Sequence, residues 1–288
     1  MFPPGALSPP QDGIDALPGK SGKSSFFSAF HEHSNRPTVA WACKRVAANV
    51  SWNMNATRSI PRPAVRRRRA WSVPLRWCAA GALAAWMSAA LSLLVLRWLP
   101  PPFTAVHVQR RIQSLIHQKP YQERYVFVPL ARISLELQHA VVAAEDARFY
   151  QHHGFDWREI RSAVEDDLDD RRVRGASTIT QQLVKNLFFG TGRSFLRKGL
   201  EATLVPVAEF TLGKRRILEL YLNVVEWGPG VYGAEAAARY HYSTTARKVD
   251  REQALRLAAI LPAPLKRRPE RMTKYSAIID GRMHQMGW

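Results

Sequence analysis

The stretch that decides the reading is Ala143-Ala144-Glu145-Asp146-Ala147-Arg148-Phe149-Tyr150-Gln151-His152-His153-Gly154-Phe155-Asp156. Ahead of it, Ser134 stands where it can cap a helix, and Leu137, Ala140, Val141 and Ala144 recur at three- and four-residue spacing. An apolar helix thus carries two adjacent carboxylates to its own C-terminal end. There the helix dipole disfavours negative charge, and burial would raise a carboxylate pKa further. A base suited to neutral pH is made in this way. Taken alone, Glu145 and Asp146 read more simply as solvated helix-end residues.

Downstream runs Arg174-Gly175-Ala176-Ser177-Thr178-Ile179-Thr180-Gln181-Gln182-Leu183-Val184-Lys185-Asn186. Ser177 or Thr178 can cap a helix there, and Gln181 or Gln182 shares a face with Lys185. Amides beside an ammonium can bind sugar hydroxyls and phosphate, although the same face is ordinary for a polar helix. Arg193, Arg197, Lys198 and Glu201 follow. Arg197 with Glu201, and Lys198 with Glu201, stand at ion-pair spacing.

The rest of the chain supports a helical domain behind a membrane anchor. Apolar periodicity recurs over 156–168, 178–188, 195–210, 214–223 and 250–261, and Pro262 closes the last. Gly228, Pro229 and Gly230 mark a loop before another short helix, and Tyr125 to Val128 is the best strand signal. From Trp77 to Leu96 no charge occurs, and a helix of that length spans ~30 Å, the thickness of a bilayer core. The stretch ends in Arg97-Trp98-Leu99-Pro100 rather than a small-residue cleavage site, which favours a retained anchor over a signal peptide. Arg66, Arg67, Arg68, Arg69 and Arg76 precede it, so the positive-inside rule puts the N-terminus in the cytoplasm and the remainder outside.

Residues 1–53 mix Pro, Gly, Ser and Asn without a period and read as a disordered tail, with Met54 an alternative start. Gly19-Lys20-Ser21 suggests a phosphate loop, but the spacing is wrong and no strand precedes it. The 42 Lys and Arg against 23 Asp and Glu, a formal charge of +19, call for an anionic partner: nucleic acid, a membrane surface or a phosphate-bearing substrate. The two cysteines, Cys43 and Cys78, both lie early, which excludes a disulfide framework from the C-terminal two-thirds.

In order and spacing the segments form one set. Glu-Asp-x-x-Phe-x-x-His-x-Gly-x-Asp spans Glu145 to Asp156, followed by Gly-x-Ser-Thr-Ile-Thr-Gln-Gln-x-x-Lys-Asn and Arg-x-x-x-Arg-Lys-x-x-Glu. Ile-Leu-Glu-x-Tyr-Leu-Asn (Ile217 to Asn223), a loop through Gly233, and Leu-Ala-Ala-Ile-Leu-Pro-x-Pro (Leu257 to Pro264) complete it. This set resembles the peptidoglycan glycosyltransferases, glycosyltransferase family 51, over roughly 103–288.

The resemblance implies a mainly α, lysozyme-like two-lobed domain over 103–288, behind a transmembrane helix at 75–99 and a cytoplasmic tail at 1–74. It implies that lipid II is polymerised into glycan strands, by inverting transfer from an undecaprenyl-pyrophosphate donor to the 4-hydroxyl of an acceptor sugar. Glu145 then matches the general base and Glu201 the second essential carboxylate. Arg148, Lys185 and Arg193 match residues that hold the pyrophosphate. Asp146, Ser177, Thr178, Gln181, Gln182 and Asn186 fall on positions that line or support the cleft. Phe149, His152, Glu219, Tyr221 and Asn223 are expected to hold the fold.

The same resemblance implies a single-pass inner-membrane enzyme with its catalytic domain in the periplasm. Its expected partners are lipid II, the growing glycan chain, membrane lipid and a cell-wall synthesis complex, without nucleic acid. A divalent cation, Mg or Mn, is the expected cofactor, with no organic one. The chain ends at Trp288, so the form without a transpeptidase domain is expected. Two departures, Ala263 within Leu-Pro-x-Pro and Arg239-Tyr240-His241-Tyr242 in place of a Tyr-Phe pair, concern packing. A lysozyme-like lytic enzyme is the alternative in the same fold, but it has no need of the Lys185/Arg193 cations. A non-catalytic scaffold would not need both carboxylates.

Overall fold

The computed structural model describes residues 72–168, 177–192 and 194–288. The expected tail, including Arg66–Arg69, lies outside the described residues as far as residue 71. Helix α1 (Ser72–Val95) contains a segment, Pro74–Val95, long and apolar enough to cross a membrane. Its last turns pack on the domain: Leu93 is fully buried, and Trp86 Nε1 donates to Thr203 Oγ1 at 2.9 Å. Arg97 donates to the Thr211 carbonyl at 3.0 Å, and Arg216 to the Leu96 carbonyl at 2.9 Å. Helix α1 is therefore fastened to the helix that carries Glu201.

Around this joint stand α2 (Ala105–Ile116), α3 (Leu135–Glu145), α4 (Trp157–Leu168), α5 (Ile179–Val184), α6 (Phe195–Val224), α7 (Ala234–Tyr242), α8 (Arg251–Ile260) and α9 (Thr273–Gln285). Ser134 caps α3 by accepting the Leu137 N–H at 3.2 Å, as its position predicts. Leu137, Ala140, Val141 and Ala143 are completely buried where α3 meets α8 and α9. Alanines at 254, 258 and 259 on α8 are equally buried, and small residues let the backbones approach closely. On the other side α5 packs on α6. Glu145, Gln182 and Glu201 therefore stand on helices packed against their neighbours.

Three of the sequence expectations change. The two helices expected at 195–210 and 214–223 run together as α6, broken at Gly213, where φ is 71° and ψ 161°. The helix expected over 178–188 is α only as far as Val184. Lys185–Phe189 form a π turn, closed by the Gly190 N–H on the Lys185 carbonyl at 3.0 Å. The strand expected from Tyr125 to Val128 shortens to β1 (Arg124–Tyr125). Its continuation pairs with a side chain instead: the Asn223 amide accepts from Val128 N and donates to Val128 O, both at 2.9 Å. Glu219 accepts the Leu130 N–H at 2.7 Å.

β1 runs parallel to β3 (Val231–Tyr232), which pairs antiparallel with β2 (Glu226–Gly228) across a turn at Pro229-Gly230. Helices α2 and α9 were not read from the sequence. The cap of α2 was legible, since Thr104 accepts the His107 N–H at 3.3 Å, whereas α9 has no side-chain cap.

Candidate active site

Glu145 ends α3 and is half-buried. Gln182 Nε2, on α5, donates to Glu145 Oε2 at 2.7 Å. Gln182 is held in turn by the Tyr221 hydroxyl, which donates to its Oε1 at 2.9 Å. Burial pushes the Glu145 carboxyl above its ordinary pKa; the Gln182 bond and the charges of Lys185 and Arg267 pull it down, and Asp146 pushes it up again. Burial wins. The dipole argument made from the sequence is blunted, because Arg282 on α9 donates to the Ala143 carbonyl at 3.3 Å, at the negative end of α3.

Asp146 turns away from Glu145 and does different work. Its carboxylate is buried and accepts the Ile179 N–H at 3.0 Å, so it sits at the positive end of α5. It also meets His152 Nε2 at 2.9 Å. His152 Nδ1 accepts the Gly154 N–H at 3.1 Å, so the ring proton is on Nε2 and donates to Asp146. Thr178 donates its hydroxyl to the Gly154 carbonyl at 2.7 Å and shares a capping box with Gln181. Asp146, Thr178 and Gln181 thereby weld the two motif segments together. Gly154 is required at this joint: its φ is +94°, and a Cβ there would come within 2.5 Å of Val205 Cγ1.

Arg148 makes two 2.8 Å hydrogen bonds to Asp156 and stands 3.6 Å from Glu159, so its guanidinium is already engaged. Burial alone would raise the Asp156 carboxyl, but the Glu159 N–H and Arg148 outweigh it and hold it below the usual range. Arg193 lies outside the described residues.

Asp146, His152 and Asp156 have ligand atoms within 4.8 Å of one another, the one such group among the described residues. They do not fit a cation. The lone pair of His152 is spent on Gly154, and Asp156 is bridged by a guanidinium and two backbone N–H groups.

The second half of the site is cationic. Lys185 stands where α5 passes into its π turn, a kind of irregularity found at functional sites. Burial lowers its pKa; Glu201 and Glu145 raise it, and Arg197 and Lys198 lower it, leaving it below the ordinary lysine value. The ammonium thus lies in the fields of both carboxylates. Glu201 is only 2 % exposed, 3.3 Å from Arg197 Nε and 4.0 Å from Lys198 Nζ, at the ion-pair spacings read from the sequence. Arg197 also holds the Gly190 carbonyl at 2.8 Å, and Lys198 reaches Ser177 Oγ at 3.5 Å. Asn186 is buried in the π turn.

The fold thus brings Glu145, Gln182, Lys185 and Glu201 together, with Arg197 and Lys198 beside them. Arg267, whose charge acts on Glu145, was missed in the sequence, as was Arg282. The basic run Lys266-Arg267-Arg268, directly after the last motif, was the available signal for the first. Nothing local marks Arg282.

A family model described as Transglycosylase matches residues 110–285. A biosynthetic peptidoglycan transglycosylase of Pseudomonas entomophila (strain L48) is 45% identical over 223 residues, 76% of this chain and 92% of its own. The protein of the same description from Pseudomonas aeruginosa (strain PAO1) is 45% identical over 208 residues, covering 70% of this chain and 90% of its own. The helical, lysozyme-like fold and these matches define a glycosyltransferase. The chain belongs to the transglycosylase family, as the motif set implied.

Proposed function

We propose that the protein polymerises lipid II into glycan strands at the outer face of the cytoplasmic membrane, with Glu145 as general base. The observation that carries this reading is the half-buried Glu145 carboxylate, bonded to Gln182 at 2.7 Å and within the field of Lys185. Glu145 takes the proton from the acceptor 4-hydroxyl as its oxygen bonds to the donor anomeric carbon. The bond from that carbon to the pyrophosphate breaks with inversion, and the electron pair leaves with the phosphate. Such a leaving group needs no proton but needs cations as its charge develops. Lys185 supplies one, Arg197 and Lys198 flank it, and Arg193 is the further expected contributor. Glu201 acts from below, holding Arg197 and Lys198 and keeping Lys185 charged. Arg148 acts through Asp156 unless substrate draws it out.

The divalent cation implied by the resemblance would supply positive charge at the substrate pyrophosphate. Exposed Trp98, Leu99, Phe103, Leu200 and Phe210 beside the anchor suit a domain seated on lipid. An apolar groove of about 480 Å³ is lined by Leu187 and Phe188 of the π turn together with Phe103, Val108 and Ile112. The length of α1 and the arginines before it in the sequence support seating the domain outside the inner membrane.

The test compares wild type with Glu145→Gln, both purified in detergent, on undecaprenyl-linked disaccharide. Polymer from the wild type and none from a folded variant is expected. Cleavage of finished glycan without polymerisation would instead establish a lytic enzyme.

A further inference from the structure

Tyr221 lies on α6, far in sequence from Glu145, and its side chain has no exposure at all. Its hydroxyl is 2.9 Å from Gln182 Oε1, and Gln182 Nε2 is 2.7 Å from Glu145 Oε2. An isolated glutamine can present either end of its amide to a neighbour. Here Tyr221 claims the oxygen, and the Ser177 carbonyl, 3.4 Å from Nε2, adds a weaker hold on the other end. A phenol so deeply buried, near the charges of Glu145 and Asp146, is held well above its ordinary pKa and keeps its proton. Among the described residues Gln182 Oε1 is the one acceptor for this hydroxyl, so turning the amide round would leave the buried O–H without an acceptor.

We propose that Tyr221 is a positioning residue for the transfer reaction, fixing the Gln182 amide so that its N–H always faces the Glu145 carboxylate. This rests on the reading of Glu145 as the base. The relay orients the carboxylate toward the acceptor hydroxyl and favours its ionised form through the Gln182 bond. Without the phenol, Gln182 can rotate and present its oxygen to Glu145. That arrangement favours the protonated acid, which cannot act as a base.

The test uses full-length protein in detergent and measures kcat, KM and the pH dependence of kcat on lipid-linked disaccharide. Wild type, Tyr221→Phe, Gln182→Leu, the double variant and Glu145→Gln are compared, each checked for folding by thermal melt. Tyr221→Phe is expected to lose roughly tenfold to a hundredfold in kcat, with KM within about twofold. The acidic limb of its profile should move to higher pH, because the bond that favours ionised Glu145 is weakened. The double variant should be no worse than Gln182→Leu, since Tyr221 acts only through Gln182.

An unmoved acidic limb in folded Tyr221→Phe, or losses that simply add in the double variant, would overturn the relay. If Tyr221→Phe does not fold, Tyr221→Leu and Tyr221→Met take its place: an upward shift in a folded one upholds the relay, and an unmoved limb there or in Gln182→Leu ends it. Activity in Glu145→Gln would remove the base reading itself, which is a different failure from an inactive Glu145→Gln beside an unaltered Tyr221→Phe.

Discussion

Gln182 Nε2 lies 2.7 Å from Glu145 Oε2, so the carboxylate at the end of α3 is oriented from a different helix. The orientation of Glu145 consequently depends on how α3 and α5 are joined, and that joint is Asp146 with Thr178 and Gly154.

The first consequence concerns pH. Burial raises the folded pKa of Glu145 above its unfolded value of about 4.3. The proposed role of Glu145 as base requires its ionised form, so activity should rise with pH through an apparent pKa above that value. For stability the sign is opposite. Ionised Glu145 is disfavoured in the fold, so its penalty is absent below the unfolded pKa and fully present above the folded one. Glu145→Gln should therefore melt higher than wild type at pH 7, and the difference should shrink toward pH 4. Paired thermal melts at the two pH values check it, and a gap that widens toward acid would contradict it.

Lys185 is the cation in the fields of both carboxylates. Lys185→Met should lose about 10²–10³ in kcat, the usual cost of removing one group that stabilises developing negative charge. Its melting temperature should stay close to wild type, because an uncharged side chain of similar length fills the same space. Steady-state rates beside a melt measure both.

Glu201 is buried against Arg197, so breaking the pair from one side strands a charge. Glu201→Ala should cost about 3–5 kcal/mol of stability as well as activity. Denaturant unfolding should show a lower midpoint for this variant than for Lys185→Met.

Gly154→Ala should destabilise the fold by about 3 kcal/mol, since it combines a left-handed φ with a Cβ 2.5 Å from Val205. Because Gly154 joins the α3 end to α5, kcat should fall with stability. A melt unchanged from wild type would refute the strain.

The Asp146–His152–Asp156 group is saturated by protein donors. Magnesium, manganese and EDTA should leave the melting temperature of the substrate-free protein unchanged, because a cation bound there would stabilise the fold by mass action. A rise in melting temperature on adding either ion, lost in His152→Asn, would restore a metal to this site.

Much of this protein was legible in sequence because local rules govern it. The caps at Ser134 and Thr178 and the apolar period of α3 depend on neighbours a few residues apart. The long apolar helix α1 follows from an uncharged run, and the candidate carboxylates and cations from motif spacing. Helix periodicity also placed Glu201 against Arg197 and Lys198. What tertiary structure alone decided are the contacts that cross between elements. Asn223 takes over the strand after β1, and Arg282 quiets the end of α3. Arg148 turns to Asp156, and Tyr221 reaches Glu145 through Gln182. A hydrogen bond is set by distance and angle in space, and residues 76 apart along the chain, as Glu145 and Tyr221 are (221 − 145), carry no periodic signal of their meeting.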